Sequence, residues 1–342
     1  MHPTGKKRIM MVSAGLFLAL LLLILLNLLL GSVRIPFREL KVLFGMEASD
    51  HYYRQILLEL RLPRVIMALI LGGALSLSGL LLQTYFENPI AGPFVLGISS
   101  GAKLMVALSL TFVLKANGTL SALGMIGAAF VGALITLLLI LFAAGKISRG
   151  AGLLVIGIMI GYICNAITDL VINMAEDSNV VSLHTWSLGS FSGLNWSHVR
   201  IAVPVILPLF VATLFLAKPM QAFFLGEQVA ASLGVHVKRF RVCLILIASL
   251  LAATVTAFAG PISFVGIAVP FLIRKLLGTE RTRVTVPMTF FGGSVFCLGS
   301  DLLARNLLSP TELSISVVTS ILGAPVVIVM LLLNRRKEGP LG

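Results

Sequence analysis

The sequence predicts an all-α polytopic membrane protein with about ten transmembrane helices. Three observations carry this. Of 342 residues, 58% are hydrophobic and only 11% are charged, where a soluble domain carries about 25% charge. Mean hydropathy is +1.05. The apolar residues fall in long runs, separated by short segments that hold most of the arginines and lysines. Water is not the solvent for most of such a surface. At about 20–25 residues per span, the length leaves no room for a sizeable soluble domain, so residues 1–342 read as one transmembrane domain.

Spans are predicted at 9–30, 62–84, 94–114, 121–143, 151–173, 199–217, 240–259, 262–277, 287–305 and 313–334. The first follows Lys6-Lys7-Arg8 and runs on into Gly31-Ser-Val-Arg34. It exceeds the roughly 7–15 apolar residues of a signal peptide, so it reads as a retained helix. The second lies between Arg61-Leu-Pro-Arg64 and the turn Phe86-Glu-Asn-Pro89. The next three are dense in glycine, including Gly97, Gly101, Gly132, Gly157 and Gly161. Small residues let helices approach closely in lipid, and a translocation path needs them too. The eighth is short and holds Pro261 and Pro270, so it is expected to be broken or tilted.

Placing the N-terminus inside puts 16 of the 26 basic residues in cytoplasmic segments, opposed there by Glu87, Glu227, Glu280 and Glu338. On the outer side acids and bases nearly cancel. This asymmetry is the positive-inside pattern, with both termini cytoplasmic. It also removes nucleic acid as a partner: the net charge of +13 is spread over many short loops rather than gathered in one patch. Two segments exceed a turn, an outer one at 31–61 and a cytoplasmic one at 218–239. A third, outer, stretch at 174–198 carries Trp186 and Trp196, either headgroup anchors or ligand contacts.

The ionisable residues inside the spans are Lys103, Asp169 and Asp301. Each is costly in hydrocarbon and is a functional candidate by default. Asp301 and Arg305 are four apart and are expected to pair on one helix face. Lys103 can snorkel, pair, or meet an anionic substrate. Asp169 sits near an outer span end, where solvent or a cavity is expected. No span carries the chain of carboxylates or histidines of a proton-coupled carrier, which weakens a secondary-transporter reading. Cys164, Cys243 and Cys297 show no metal or disulfide spacing. No nucleotide loop, zinc motif or nucleophile elbow is present, so no catalytic residue, metal site or cofactor is assigned to the chain.

The sharpest local signal is cytoplasmic. Residues 227–233 read as a short helix with an acidic start, Glu227, and a glycine stop, Gly234, and with Val229, Ala230 and Leu233 on one side. Such a helix either fits a groove on a partner or lies on lipid.

The chain resembles the permease subunits of type II ABC importers for iron-siderophore, haem and cobalamin, the FecCD family. The pieces that carry the resemblance are Arg61-Leu-Pro-Arg64, Gly72-Gly73-Ala74-Leu75, Phe86-Glu-Asn-Pro-Ile-Ala91, Leu96-Gly-Ile-Ser-Ser-Gly-Ala102, Gly226-Glu227 with Ala230 and Leu233-Gly234, the run from Gly260 to Pro270, Asp301-Leu-Leu-Ala-Arg305, and Val318 to Pro325. It implies a ten-span fold and a bacterial plasma-membrane location. The implied partners are two cytoplasmic ATPases that bind the ATP and magnesium, a solute-binding protein outside, and a second permease, identical or paralogous. It implies that Gly226, Glu227, Ala230, Leu233 and Gly234 form the ATPase coupling helix. It implies that Arg61, Arg64 and Arg305 dock the binding protein. Lys103, Ser148, Gly150 and Gly152 are candidates for the translocation path. The implied cargo is an iron chelate, with cobalamin as the alternative. Phe271 stands where many relatives carry histidine, and Lys103 stands where they carry a small or apolar residue. The family also implies inverted repeats, of which only a faint similarity between 64–97 and 241–278 is visible.

Overall fold

A computed structural model describes residues 3–44, 46, 51–113, 121–146, 150–309 and 311–335. The principal helices are α1 (Pro3–Leu29), α2 (Leu62–Phe86), α3 (Ile98–Leu108), α4 (Ala122–Lys146), α5 (Gly150–Ile172), α6 (Asp177–Ser187), α7 (Trp196–Phe223), α8 (Glu227–Ser232), α9 (Val237–Ala259), α10 (Val265–Leu277), α11 (Thr282–Asn306) and α12 (Ile315–Arg335). Among the described residues, eight helices are long and apolar enough to cross a membrane.

Two predicted spans turn out shorter. The third begins with a 3-10 turn, Pro93–Leu96, and Gly97 at φ 72° then breaks the chain before α3. The eighth begins in extended backbone, with Phe264 at φ 63° before α10. Proline removes a backbone donor and fixes φ, so Pro261 bars α9 from continuing past its Gly260 cap, while Pro93 opens the short 3-10 turn. The two irregular entries meet inside the bundle, where a Cβ on Gly266 would stand 2.9 Å from Pro93 Cδ. The order long helix, broken entry, short helix therefore occurs twice, as α2–α3 and α9–α10. The outer segment expected at 31–61 is only partly a loop. His51–Gln55 and a π-helical stretch, Ile56–Arg61, run directly into α2.

Helix α2 is the axis, with 89% of its most apolar window buried. It packs on α7, α9, α10 and α11. Glycine makes this approach close: a Cβ on Gly72 would stand 2.6 Å from the Gly293 carbonyl, and one on Gly79 would fall on the Gly266 backbone. Hydroxyls then bond across helices. Ser76 Oγ donates to Thr289 O (2.8 Å), Ser78 Oγ to Ala248 O (2.6 Å) and Ser294 Oγ to Leu69 O (2.7 Å). In lipid, where burying apolar surface gives no drive between helices, such contacts do the holding. Away from the axis, α3 is wedged between α4 and α5 at its own glycines: a Cβ on Gly101 would stand 2.9 Å from the Gly132 carbonyl, and one on Gly97 2.8 Å from that of Gly157.

Candidate functional site

The cytoplasmic end is built around α8. Gly226 enters it at φ 108° and Gly234 leaves at φ 87°, backbone regions that favour glycine. Two bonds close its end, Gly234 N to Ala231 O and Val235 N to Ala230 O, both 3.0 Å. This is the Schellman arrangement, and its apolar contact is supplied by Val235. Ala230 is fully buried, whereas Val229 (42%), Leu233 (64%) and Leu225 (65%) are exposed. The expected apolar side is thus divided. Ala230 seats the helix, and Val229 and Leu233 face outward.

Glu227 braces the helix. Its Oε2 lies 2.9 Å from Arg241 Nη2 on α9. The Arg241 guanidinium also stands over the Phe223 ring at 5.7 Å and the Tyr85 ring at 6.0 Å. Pairing and cation–π contact tie α8 to α7, α9 and the inner end of α2. Concave surfaces flank α8, one of 1060 Å³ along Gln228, His236 and Lys238. Another, of 820 Å³, is lined by Glu87, Phe223, Phe271 and Arg274. Arg274 Nη2 donates to Gln83 Oε1 (2.6 Å), which anchors α10 to α2 beside that concavity. Phe271 is one of its walls.

The outer end holds a charge network. Arg64 donates to Asp301 from Nε (3.1 Å) and Nη2 (2.8 Å), and to Glu312 from Nη1 and Nη2 (both 3.1 Å). Arg305 Nε lies 3.2 Å from Asp301 Oδ2, the expected pair, at an angle too poor for a hydrogen bond. Its Nη2 donates to the Asn27 side chain. Arg61 donates to the carbonyls of Leu28 (2.6 Å) and Val33. Arg61 and Arg305 are only 6% and 7% exposed. The three arginines expected to dock a binding protein thus lie together in one cluster at this end. Burial forces each to find partners inside the chain, and they fasten α1, α2, α11 and the start of α12 together.

Of the path candidates, Ser148 lies outside the described residues. Gly150 is the first residue of α5, and Gly152 is half-buried. Lys103 is half-buried on α3. Because α3 starts only at Ile98, Lys103 sits about 7 Å into it, at its middle residue. Trp196 Nε1 donates to Leu58 O (2.8 Å), so this tryptophan is committed to the π-helical stretch.

Sequence reasoning missed one array. On α5 and in the turn just past its end, Tyr162, Asn165, Asp169 and Asn173 are all exposed. Their spacings of three, four and four put them on one helix face. That spacing is visible in the sequence, but only Asp169 stands out among residues taken singly.

The chain is similar to known proteins over nearly its whole length. Residues 19–333 match the FecCD transport family. The chain belongs to that family. It is 34% identical to the hemin transport system permease HmuU of Yersinia pestis, over 96% of this chain and 98% of that one. It is also 34% identical to the iron(3+)-hydroxamate import permease FhuG of Bacillus subtilis, with the same coverage. The vitamin B12 import permease BtuC of Vibrio vulnificus is 36% identical over 82% of this chain and 84% of that one. Among solved structures, a metal-chelate-type ABC transporter in an inward-facing conformation superposes with a TM-score of 0.82 at 28% identity, covering 93% of this chain and 97% of that one. As a FecCD member the chain is an importer permease of the type II ABC fold, not itself an enzyme.

Proposed function

We propose that this FecCD permease carries a ferric chelate into a bacterial cell, driven by two cytoplasmic ATPases acting on α8 and fed by a solute-binding protein at the outer face. The observation that carries the reading is α8 itself. It is an apolar knob, Val229 and Leu233, held rigidly on the bundle by Ala230 and by the 2.9 Å Glu227–Arg241 pair. A rigid knob transmits force, whereas a lipid-lying helix needs no such bracing. Both termini are cytoplasmic in this reading, in keeping with the basic segments. A second permease, identical or paralogous, completes the pathway, and lipid covers the remaining apolar faces.

Docking outside falls on the rim of the charge network, where Glu312 and Arg64 retain 39% and 13% side-chain exposure. Charges so placed steer and orient a partner. Permeases for haem, hydroxamate, citrate and vitamin B12 all stand near this chain at 31–36% identity. Three of these four kinds of cargo carry iron, and cobalamin is the alternative.

The test is radio-iron uptake by iron-starved cells lacking this chain, with the wild type or Glu227→Arg restored. The variant places two cations face to face at Arg241. Restored uptake with the wild type, together with loss of uptake and of ATPase co-purification in the variant, is expected. Uptake by the wild type without any ATPase would replace this reading with an ion-coupled carrier. Restoration of cobalamin uptake alone would replace the cargo.

A further inference from the structure

The face formed by Tyr162, Asn165 and Asp169 on α5, with Asn173 just past its end, has no occupant among the described residues. Tyr162 is 65% exposed, and its three companions are exposed as well. Asn165 lies about 10 Å and Tyr162 about 15 Å below the outer end of the helix. These depths are inside the hydrocarbon layer, where exposed polar side chains face water or protein rather than lipid. The neighbouring helix shows what a lipid face looks like here: α4 exposes Val131, Ile135, Leu138 and Phe142. The polar face is also turned away from the bundle, because α5 meets α3 through Gly157 and Gly161. Below Tyr162 the same side of α5 becomes apolar, with Val155 and Met159 exposed. The outer half of the helix therefore carries a polar strip beside an exposed apolar one, Ile163, Ile167 and Leu170, above a wholly apolar inner half.

Charge decides what this outer half accepts. Its one ionisable group outside the phenol of Tyr162 is Asp169, and that carboxylate makes no hydrogen bond or ion pair with the described residues. The cation nearest in the spans, Lys103, is half-buried on α3, the helix behind α5. The remaining groups, a phenol and two amides, give and accept hydrogen bonds without charge.

We infer that this face lines the water-filled path of the cargo, and that Asp169 makes the path selective for neutral or cationic ferric chelates with a polar rim, of the hydroxamate kind, over anionic ones. A ferric trihydroxamate is neutral, and cationic when it carries a free amine. A triscatecholate, a citrate complex and haem with its propionates are anionic and meet the Asp169 carboxylate unfavourably. This inference rests on the importer reading given above. An anionic chelate, the cargo that Lys103 would favour if it faced the path, is the less favoured one here.

The experiment compares uptake of an amine-bearing ferric hydroxamate, a neutral ferric hydroxamate and ferric citrate by the full importer carrying wild type, Asp169→Asn or Asp169→Lys. The binding protein is unchanged, so a change in the ratio between cargoes belongs to the permease. One unit charge at about 4 Å through water is a factor of about five. The cationic-to-neutral uptake ratio should fall about fivefold in Asp169→Asn and further in Asp169→Lys, with the citrate-to-neutral ratio rising in step. Unchanged ratios at normal membrane levels of the chain would overturn the inference. A wild type that restores no ferric chelate at all would instead sink the importer's cargo reading.

A second measurement covers variants that do not reach the membrane. In a Cys164→Ala background, Asn165→Cys should react with a water-soluble, membrane-impermeant thiol reagent, and Leu138→Cys should not. An Asn165→Cys chain that resists the reagent as fully as Leu138→Cys would mean a dry interface between permeases, and the path would lie elsewhere.

Discussion

Replacing Asp301 with asparagine tests the outer network most directly. The carboxylate is 1% exposed and faces two guanidinium groups, with Arg64 Nη2 at 2.8 Å and Arg305 Nε at 3.2 Å. The cluster holds Arg61, Arg64 and Arg305 against Asp301 and Glu312, and the substitution leaves three cations against one anion. Removing one partner of a buried pair costs about 3–5 kcal/mol, because the other charge stays buried. At about 2.1 cal/mol/K of unfolding entropy per residue, this length converts one kcal/mol to roughly 1.4 °C. Asp301→Asn should therefore lower the melting temperature in detergent by about 4–7 °C. Glu312→Gln is the internal control. Its side chain is 39% exposed, and an exposed pair is worth about 1 kcal/mol or less, so a shift near 1 °C is expected. Thermal unfolding followed by a thiol-reactive dye on the buried Cys297, in a Cys164→Ala, Cys243→Ala background, reads both. Equal shifts in the two variants would refute the claim that the network is a structural clamp.

Two further substitutions probe the inner end and the axis. Leu233→Asp should abolish ATPase co-purification with little change in melting temperature, since Leu233 is 64% exposed, whereas Ala230→Leu should destabilise the chain because Ala230 is fully buried. The reverse order, measured by pull-down and melting, would mean that α8 seats by the other face. Gly79→Ala should prevent accumulation of folded chain in the membrane, as its Cβ would fall on the Gly266 backbone, which a rigid helix contact cannot yield. Size-exclusion profiles that match wild type would show that α2 and α10 separate more easily than their packing indicates.

The spans were legible because lipid demands long apolar runs, and the run from Leu62 to Phe86 meets that demand. Helix α8 was legible from its acidic start and its glycine stop. The direction of Ala230 was not, since a six-residue helix shows which residues share a side but not which side is covered. The third and eighth spans misled on length for a physical reason: hydropathy averages across Gly97 and Pro261 and does not register a backbone break. The polar face of α5 escaped because its members are ordinary one at a time, and only exposure shows that nothing covers them.

The arginines carry the more general lesson. From sequence alone, an arginine at a span end suggests a group reaching outward to a partner or a headgroup. Arg8 instead donates to the carbonyls of Leu276 (2.9 Å) and Lys275 (2.8 Å), the last turn of α10. Arg61 does the same for α1 at Leu28, and Arg305 reaches the Asn27 side chain one turn away. The last carbonyls of a helix have no intrahelical donor, and the helix dipole makes them an anionic end. A long guanidinium from an adjacent element satisfies them where lipid cannot. Helix α1 has only 6% of its apolar window buried, so side-chain packing alone holds it weakly. Arginine contacts at both its ends explain how a helix so exposed keeps a fixed place on α11, and why basic residues at span ends need not be available to any partner.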